Sequence, residues 1–463
     1  MTNLEKSLKK KARRPNSVAV IGAIFGDEGK GRITDELTEY FLKKYNKVIV
    51  YRDNGGSNAG HTISMEGKKI GLHQIGSGIL HKGCVVVLGK GMVIHPIDLL
   101  DEIGEVKRVF DLKTLPAKLM VDEMAVLNLD THRAFELALK NREQKTLGSQ
   151  AATGRGISPS YADILYRFPV RMRDLLAENW KETLGDHFDL YKDLISGLGM
   201  DCVIIKVKRF NSEDTELGSK RKFLNNLEKT REELKRYVFP MYEYIKKEWY
   251  SPTPFIFEKA QAIGLDAHWG VYPDVSASNC CIDGITYSTE GVVDFKDISA
   301  RFGVIKSTYT SSVGKRQIPT FMEEKYAKVL RDDANEYGTT TGRPRDIAYL
   351  DLEMLKYFCK VGGIEELVFT HMDIIYKRDV KVCTGYKKGK EKTYYRPDQK
   401  HLENVKPIYK KLKYWNKEEL KKSGIYSKVQ KEAKDFIQFV CKQTDTTPVM
   451  ITYGPDRRDT ILV

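Results

Sequence analysis

Val18-Ala19-Val20-Ile21-Gly22 runs through Ala23 and Ile24 into Phe25-Gly26-Asp27-Glu28-Gly29-Lys30-Gly31-Arg32. The apolar run predicts a buried strand, the glycines a tight turn, and the residues from Lys30 onward a helix. A second apolar run, Val48-Ile49-Val50-Tyr51, leads into Asn54-Gly55-Gly56-Ser57-Asn58-Ala59-Gly60-His61-Thr62. Small residues let a backbone approach phosphate closely, and a helix N-terminus favours an anion. The first turn is not a Walker A loop, because that pattern needs glycine at position 24, where Ile stands. The two turns are complementary. One offers backbone N–H groups, a lysine and a carboxylate; the other offers a histidine and more glycine backbone.

Further apolar runs occur at 84–88, 118–121, 202–207, 254–257, 366–370 and 447–452. Helix-like stretches lie at 32–44, 97–105, 130–140 and 223–248. Alternating strands and helices imply an α/β fold with a large, mainly parallel sheet and helices on both faces. Stretches 146–160, 307–320 and 338–345 are rich in Gly, Ser and Thr and read as ligand-holding loops.

The chain has 463 residues, 41% hydrophobic, with 77 Lys and Arg against 63 Asp and Glu, a net charge of +14. No apolar run approaches the ~18 residues of a membrane span, and no secretory signal is expected. The seven cysteines contain no C-x-x-C pair, which points to free thiols in a reducing cytoplasm. Residues 1–16 carry six basic side chains against Glu5 and read as a solvated, disordered arm or a frayed helix; 17–463 reads as a single domain. The Lys-rich stretch 377–422 reads as hairpins and an exposed helix with a solvated face. Nucleic acid is not expected as a partner, since no zinc or aromatic–basic motif accompanies the charge.

The chain resembles the adenylosuccinate synthetases. The resemblance rests on Gly26-Asp27-Glu28-Gly29-Lys30-Gly31, on Asn58-Ala59-Gly60-His61-Thr62, on His73 to Leu80 and on Thr153-Gly154-Arg155-Gly156-Ile157-Ser158-Pro159. It continues through Phe257 to Asn279, Gly338 to Arg345 and Gly454-Pro455-Asp456-Arg457. It implies a ligase that joins L-aspartate to C6 of a 6-oxopurine monophosphate, IMP, through a 6-phosphoryl intermediate driven by GTP.

By the same resemblance Asp27 is the catalytic base and, with the Gly60 carbonyl, a ligand of Mg²⁺. His61 assists phosphoryl transfer, and Gln261 meets the purine oxygen. Gly26, Glu28, Gly29, Lys30, Gly31, Asp373 and Gly454 are implied for the nucleoside triphosphate. Asn58, Thr153, Arg167, Gln261, Ser276 and Val313 are implied for the monophosphate acceptor, with Arg167 acting across a homodimer interface. Thr339, Thr340, Thr341, Arg343 and Arg345 are implied for aspartate, whose two carboxylates suit guanidinium forks.

The chain also departs from the family. Lys259 stands where glycine is usual, His371 where lysine is usual, Ala262 to Gly270 differs, and Gly148 to Ala152 makes a longer loop. A phage branch of the family uses dGMP and commonly has a smaller residue in place of Asp27. That branch, with ATP or GTP as donor, is one alternative reading; a purine-sensing regulatory homologue without turnover is another.

Overall fold

The computed structural model describes residues 1–10, 13–65, 67–141, 153–210, 213–312, 316–337, 342 and 344–463. Ten strands form the central sheet. In chain order they are β1 (Arg14–Gly22), β2 (Val48–Arg52), β3 (Cys84–Leu88), β4 (Lys118–Asp122), β5 (Val238–Phe239), β6 (Phe255–Glu258), β7 (Ile298–Lys306), β8 (Glu366–Thr370), β9 (Thr447–Thr452) and β10 (Thr460–Leu462). Across the sheet they run β5-β4-β3-β2-β6-β1-β7-β8-β9-β10. Every pairing is parallel except β9 with β10. The α/β reading with a mainly parallel sheet is borne out.

Alternate side chains of each strand enter two separate cores. Val18 and Val20 pack on one face of the sheet, and Ala19 and Ile21 on the other. Val48 and Val50 are likewise divided from Ile49 and Tyr51. Both faces are therefore covered, which explains why these strands read as continuous apolar runs.

From β1 the chain builds outward through β2, β3, β4 and β5, then returns to insert β6 beside β1, and continues outward on the other side from β7. The direction of winding thus reverses around β1 and β6. In open α/β sheets ligands bind at such a point, beyond the carboxyl ends of the strands.

Four local readings need correction. The run 202–207 does not join the sheet; Lys206–Lys208 pairs antiparallel with Asp214–Glu216 in a separate ribbon. The stretch 223–248 is two helices, Lys220–Leu234 and Tyr242–Trp249, interrupted by β5 and Pro240, whose missing N–H cannot continue a helix. Strand β7 escapes the hydrophobic pattern because Ser299, Arg301 and Lys306 interrupt it, yet all nine of its residues are buried. Its polar groups find partners: the Ser299 amide donates to Ser17 Oγ, the Arg301 amide to Glu366, and Lys306 to Glu336. Within the loop 307–320, Tyr309–Ser312 is a strand paired with Asp346–Tyr349.

The N-terminus also departs from the expected solvated arm. Asn3–Ser7 is a short helix closed by a Thr2–Glu5 capping box. Leu4 and Leu8, one turn apart, are buried in the core, and the Asn3 amide donates to Val463 O at 2.7 Å. Arg13 forms a two-bond pair with Glu365 at 2.7 and 2.8 Å, so part of the basic charge is neutralised locally. The stretch 377–422 does form hairpin strands, Val380–Lys388, Glu391–Thr393 and Lys406–Leu412, and a helix, Lys417–Ser423. Among the described residues no helix is long and apolar enough to cross a membrane.

Candidate functional site

The loops that leave β1, β2 and β6 at their carboxyl ends converge on one cleft of about 260 Å³. Gly26, Asp27, Lys30, Gly31, Asn58, Gly60, His61, Thr153, Gln261 and Ser276 all line it, although they come from distant parts of the sequence. A wider depression of about 730 Å³ elsewhere on the surface, around Lys90, Tyr287 and Lys296, contains none of these groups.

The turn after β1 is held in an unusual backbone shape. Gly26 and Gly29 have φ of 95°, and Asp27 has φ of 58°, a left-handed conformation that costs energy for a residue with a Cβ. Glu28 closes the turn from inside. Its carboxylate accepts the amides of Ile24 at 3.2 Å and Gly26 at 2.7 Å, and Lys30 Nζ at 2.8 Å. Glu28 is buried, so its side chain organises the turn and does not line the cleft. The helix Lys30–Leu42 then starts at Gly29 with no side-chain cap, which leaves its first amides open to an anion.

Asp27 keeps 40% of its side chain exposed and forms an ion pair with Arg345, Oδ2 to Nη2 2.7 Å. Gly60 is exposed, with open space where a Cβ would lie. A carboxylate and a backbone carbonyl at one cleft are hard oxygen donors, the donor type that Mg²⁺ takes. These residues fit such an ion.

His61 Nε2 lies 2.9 Å from the Ile75 carbonyl, which can only accept, so Nε2 carries the proton and Nδ1 is bare. Burial, reinforced by Arg52 and His73, holds His61 well below the ordinary histidine value, and the ring is neutral. Behind it, buried Glu258 accepts from Ser77 N at 2.9 Å and stands 3.9 Å from His61 Nε2. Gln261 also has a left-handed backbone, with φ of 57°. Its Nε2 donates to Asn58 at 3.3 Å and its Oε1 accepts from Ser278 at 3.1 Å.

Sequence reasoning missed the groups beneath this surface. Lys259 pairs with Asp53, and both side chains are fully buried. Glu336 accepts from Arg345, Lys306 and Tyr309, and Tyr309 Oη lies 3.1 Å from His371 Nδ1. Burial opposes the Glu336 charge, but Lys306 and Arg345 hold its carboxyl down at about 2. Arg316 lines the cleft, donates to the Asp274 carbonyl at 2.6 Å and sits 4.7 Å from the Phe25 ring centre. In sequence Asp53, Lys306, Arg316 and Glu336 are isolated charged residues that no motif marked, whereas Lys259, His371 and Arg345 were noted without their partners.

Asp373 and Gly454 do not line the cleft but belong to neighbouring segments. The Met372 amide donates to Thr452 O at 2.9 Å, and Thr370 Oγ1 donates to the Glu28 carbonyl at 2.8 Å. The segment carrying Asp373 is thus tied to the phosphate turn. His371 is pulled down to about 4 by burial and by Lys306, so the position holds no cation at neutral pH. Arg167, with φ of 69°, caps the far end of the helix Ile157–Tyr166 and is exposed outside the cleft. Val313, Thr339, Thr340, Thr341 and Arg343 lie outside the described residues.

A separate buried group, His132, Asp163 and His187, has the side chains a metal could use. His132 Nε2 meets Asp163 at 2.9 Å, Tyr191 donates to Asp163 at 2.7 Å, and none of the three lines the cleft.

An uncapped helix N-terminus, a lysine and an exposed carboxylate at the winding reversal of a parallel sheet define a nucleotide-binding α/β enzyme. The family model of adenylosuccinate synthetase matches residues 19–461. Adenylosuccinate synthetases of Christiangramia forsetii and Caldicellulosiruptor saccharolyticus are each 34% identical, covering 96% of this chain and 98% of theirs. The fully ligated adenylosuccinate synthetase of Plasmodium falciparum superposes with a TM-score of 0.83 at 30% identity, over 97% of this chain and 100% of that one. A cyanophage S-2L succinoaminodeoxyadenylate synthetase, bound to dGMP and dATP as an energy donor, gives a TM-score of 0.57 at 15% identity, over 96% and 95% of the two chains. That last likeness is one of fold.

The chain belongs to the adenylosuccinate synthetase family. It is a ligase that forms a carbon–nitrogen bond, makes adenylosuccinate and serves purine biosynthesis.

Proposed function

We propose that the protein joins L-aspartate to C6 of IMP, driven by GTP and Mg²⁺. The observation that carries this reading is the meeting of Asp27, His61 and Gln261 in one cleft, beside a helix N-terminus. A purine 6-oxygen is a poor leaving group, so it is first phosphorylated. Asp27 removes the N1 proton as O6 takes the γ-phosphoryl group of GTP, and GDP departs. The aspartate amine then adds at C6, loses a proton, and expels the O6 oxygen as inorganic phosphate.

Asp27 and the Gly60 carbonyl would hold the metal, which supplies charge neutralisation for the phosphates when bound. His61 assists phosphoryl transfer in this reading; neutral and with a bare Nδ1, it can accept a hydrogen bond from a donor at the reacting 6-oxygen. Gln261 is an uncharged donor able to bond O6 in any protonation state. Lys30 and the open helix amides suit the triphosphate. Asp373 favours GTP, because a carboxylate accepts guanine N1–H and N2–H together. Asn58, Thr153 and Ser276 suit the monophosphate, and Arg345 suits an aspartate carboxylate, joined in this reading by Arg343 and the threonines of 339–341.

The active form in this reading is a homodimer. Arg167 is flanked by Leu165, Tyr166 and Phe168, all exposed, and the last two rings stack at 5.7 Å. An apolar tip of this kind suits burial against a second copy, whose cleft Arg167 would complete. The free, buried thiols suit a reducing cytoplasm.

The test is an acceptor panel of IMP, dIMP, GMP and dGMP with aspartate and either GTP or ATP, read by mass spectrometry. Adenylosuccinate from IMP and GTP is the expected product. A dGMP adduct in place of it would establish the phage-type reaction.

A further inference from the structure

Asp27, the proposed base, is not free in this structure. Arg345 Nη2 holds its Oδ2 at 2.7 Å, while Arg345 Nη1 donates to Glu336 Oε2 at 2.7 Å. The guanidinium therefore uses one nitrogen for each of two carboxylates. Its Nε is buried and has no hydrogen-bond partner among the described residues, so the fork retains unused donor capacity. Glu336 is itself almost fully buried and fixed from two further directions. Lys306, at the carboxyl end of β7, donates to its Oε1. Tyr309, on the following strand, donates to the same atom at 2.7 Å and lies 3.1 Å from His371 Nδ1.

The two partners of Arg345 thus differ. Glu336 sits at 1% side-chain exposure in a closed network, whereas Asp27 is 40% exposed on the cleft. A guanidinium between a buried, multiply bonded carboxylate and an exposed, solvated one can exchange the latter for an incoming carboxylate while keeping the former.

We infer that Glu336 is a positioning residue: it anchors Arg345 by one edge, so that the other edge caps Asp27 in the free enzyme and passes to a carboxylate of the amino-dicarboxylate substrate, releasing Asp27. The inference rests on the reading of Arg345 as an aspartate ligand. In chemical terms the site exchanges one carboxylate for another, and binding of the dicarboxylate is what unmasks the base. Glu336 touches no substrate; it acts through Arg345.

The test is steady-state kinetics of Glu336→Gln and Glu336→Asp, with aspartate varied at saturating nucleotides and IMP varied at saturating aspartate. Gln keeps the size of the side chain and removes its charge; Asp keeps the charge and shortens the reach. Losing a charge-assisted anchor corresponds to about a 10- to 100-fold effect. The expected result is a rise of that size in KM for aspartate in Glu336→Gln, a smaller rise in Glu336→Asp, and KM for IMP within about threefold of wild type. A residue that merely holds the fold together would move both KM values and kcat alike, and that pattern would overturn the inference. If Glu336→Gln does not fold, Glu336→Asp carries the test, and an unchanged aspartate KM there refutes it. Wild-type protein that makes no aspartate adduct from any acceptor refutes the functional reading and this inference with it; an active wild type with unaltered variants refutes this inference alone.

Discussion

Replacing Lys259 by Met should expose how much of this site is held by a buried ion pair. Lys259 Nζ pairs with Asp53 Oδ2 and donates to the Asn279 carbonyl at 3.1 Å, tying the ends of β2 and β6 to the loop that follows them. Both charged side chains are fully buried, and Asp53 Oδ1 has no partner among the described residues. Met has similar length and no charge, so Lys259→Met leaves a buried carboxylate uncompensated, at a cost of about 3–5 kcal/mol.

The unfolding entropy of a 463-residue chain, at roughly 2.1 cal/mol/K per residue, is about 1 kcal/mol/K, so the Tm should fall by about 3–5 °C. The pH dependence has a definite sign. Burial already pushes the Asp53 carboxyl up, against the pull of Lys259, and removing Lys259 pushes it further. Between the unfolded value and this raised folded value, the folded state binds more protons than the unfolded state, so stability falls as pH rises. The deficit of Lys259→Met should therefore be larger at pH 8 than at pH 5. Differential scanning calorimetry at both values reads it directly. Adding Asp53→Asn should recover more than half of the loss at pH 8, because the stranded charge is then gone. A Lys259→Met protein that melts within about 1 °C of wild type at pH 8, where the full cost above applies, would refute the argument, as would a double variant no more stable than the single one.

Other perturbations test the chemistry. Asp27→Asn should preserve nucleotide binding, measured by calorimetry, while lowering kcat by ~10²–10⁴-fold, the worth of a positioned base. His61→Asn should also lower kcat; because burial keeps His61 neutral, the wild-type profile should show no limb from this residue between about pH 6 and 8. Arg167→Leu should raise KM for the monophosphate, and mixing it with Asp27→Asn under verified subunit exchange should restore some activity, since a hybrid dimer would contain one intact site. Absence of recovery would argue against a shared site. Competition between GTP and ATP should favour GTP, with the preference shrinking in Asp373→Asn; the margin should be modest, because neutral His371 offers no cation beside the base. Better use of ATP by the wild type would overturn the donor assignment.

What the sequence determined by itself is what local chemistry encodes. An apolar run ending in glycines specifies a buried strand and a tight turn wherever it occurs, so β1, β2 and their loops were legible, with Asp27, Lys30, Asn58 and His61 on them. The ordered motifs pointed to Gln261, Asp373 and Arg345 as candidates, and of these three Gln261 lines the cleft. Strand β7 was not legible, because Ser299, Arg301 and Lys306 look solvent-facing until Ser17, Glu366 and Glu336 come to meet them. The burial of the N-terminal helix was missed for a related reason: a charge-rich segment appears solvated, but Leu4 and Leu8 find a core, and Arg13 finds Glu365. Tertiary structure alone decided the pairings of Asp27 with Arg345, Arg345 with Glu336 and Lys259 with Asp53. A buried charge is stable only against a partner of opposite sign, and in a parallel sheet with crossover connections that partner is supplied by whichever strand end lies adjacent in space, not by a neighbour in sequence.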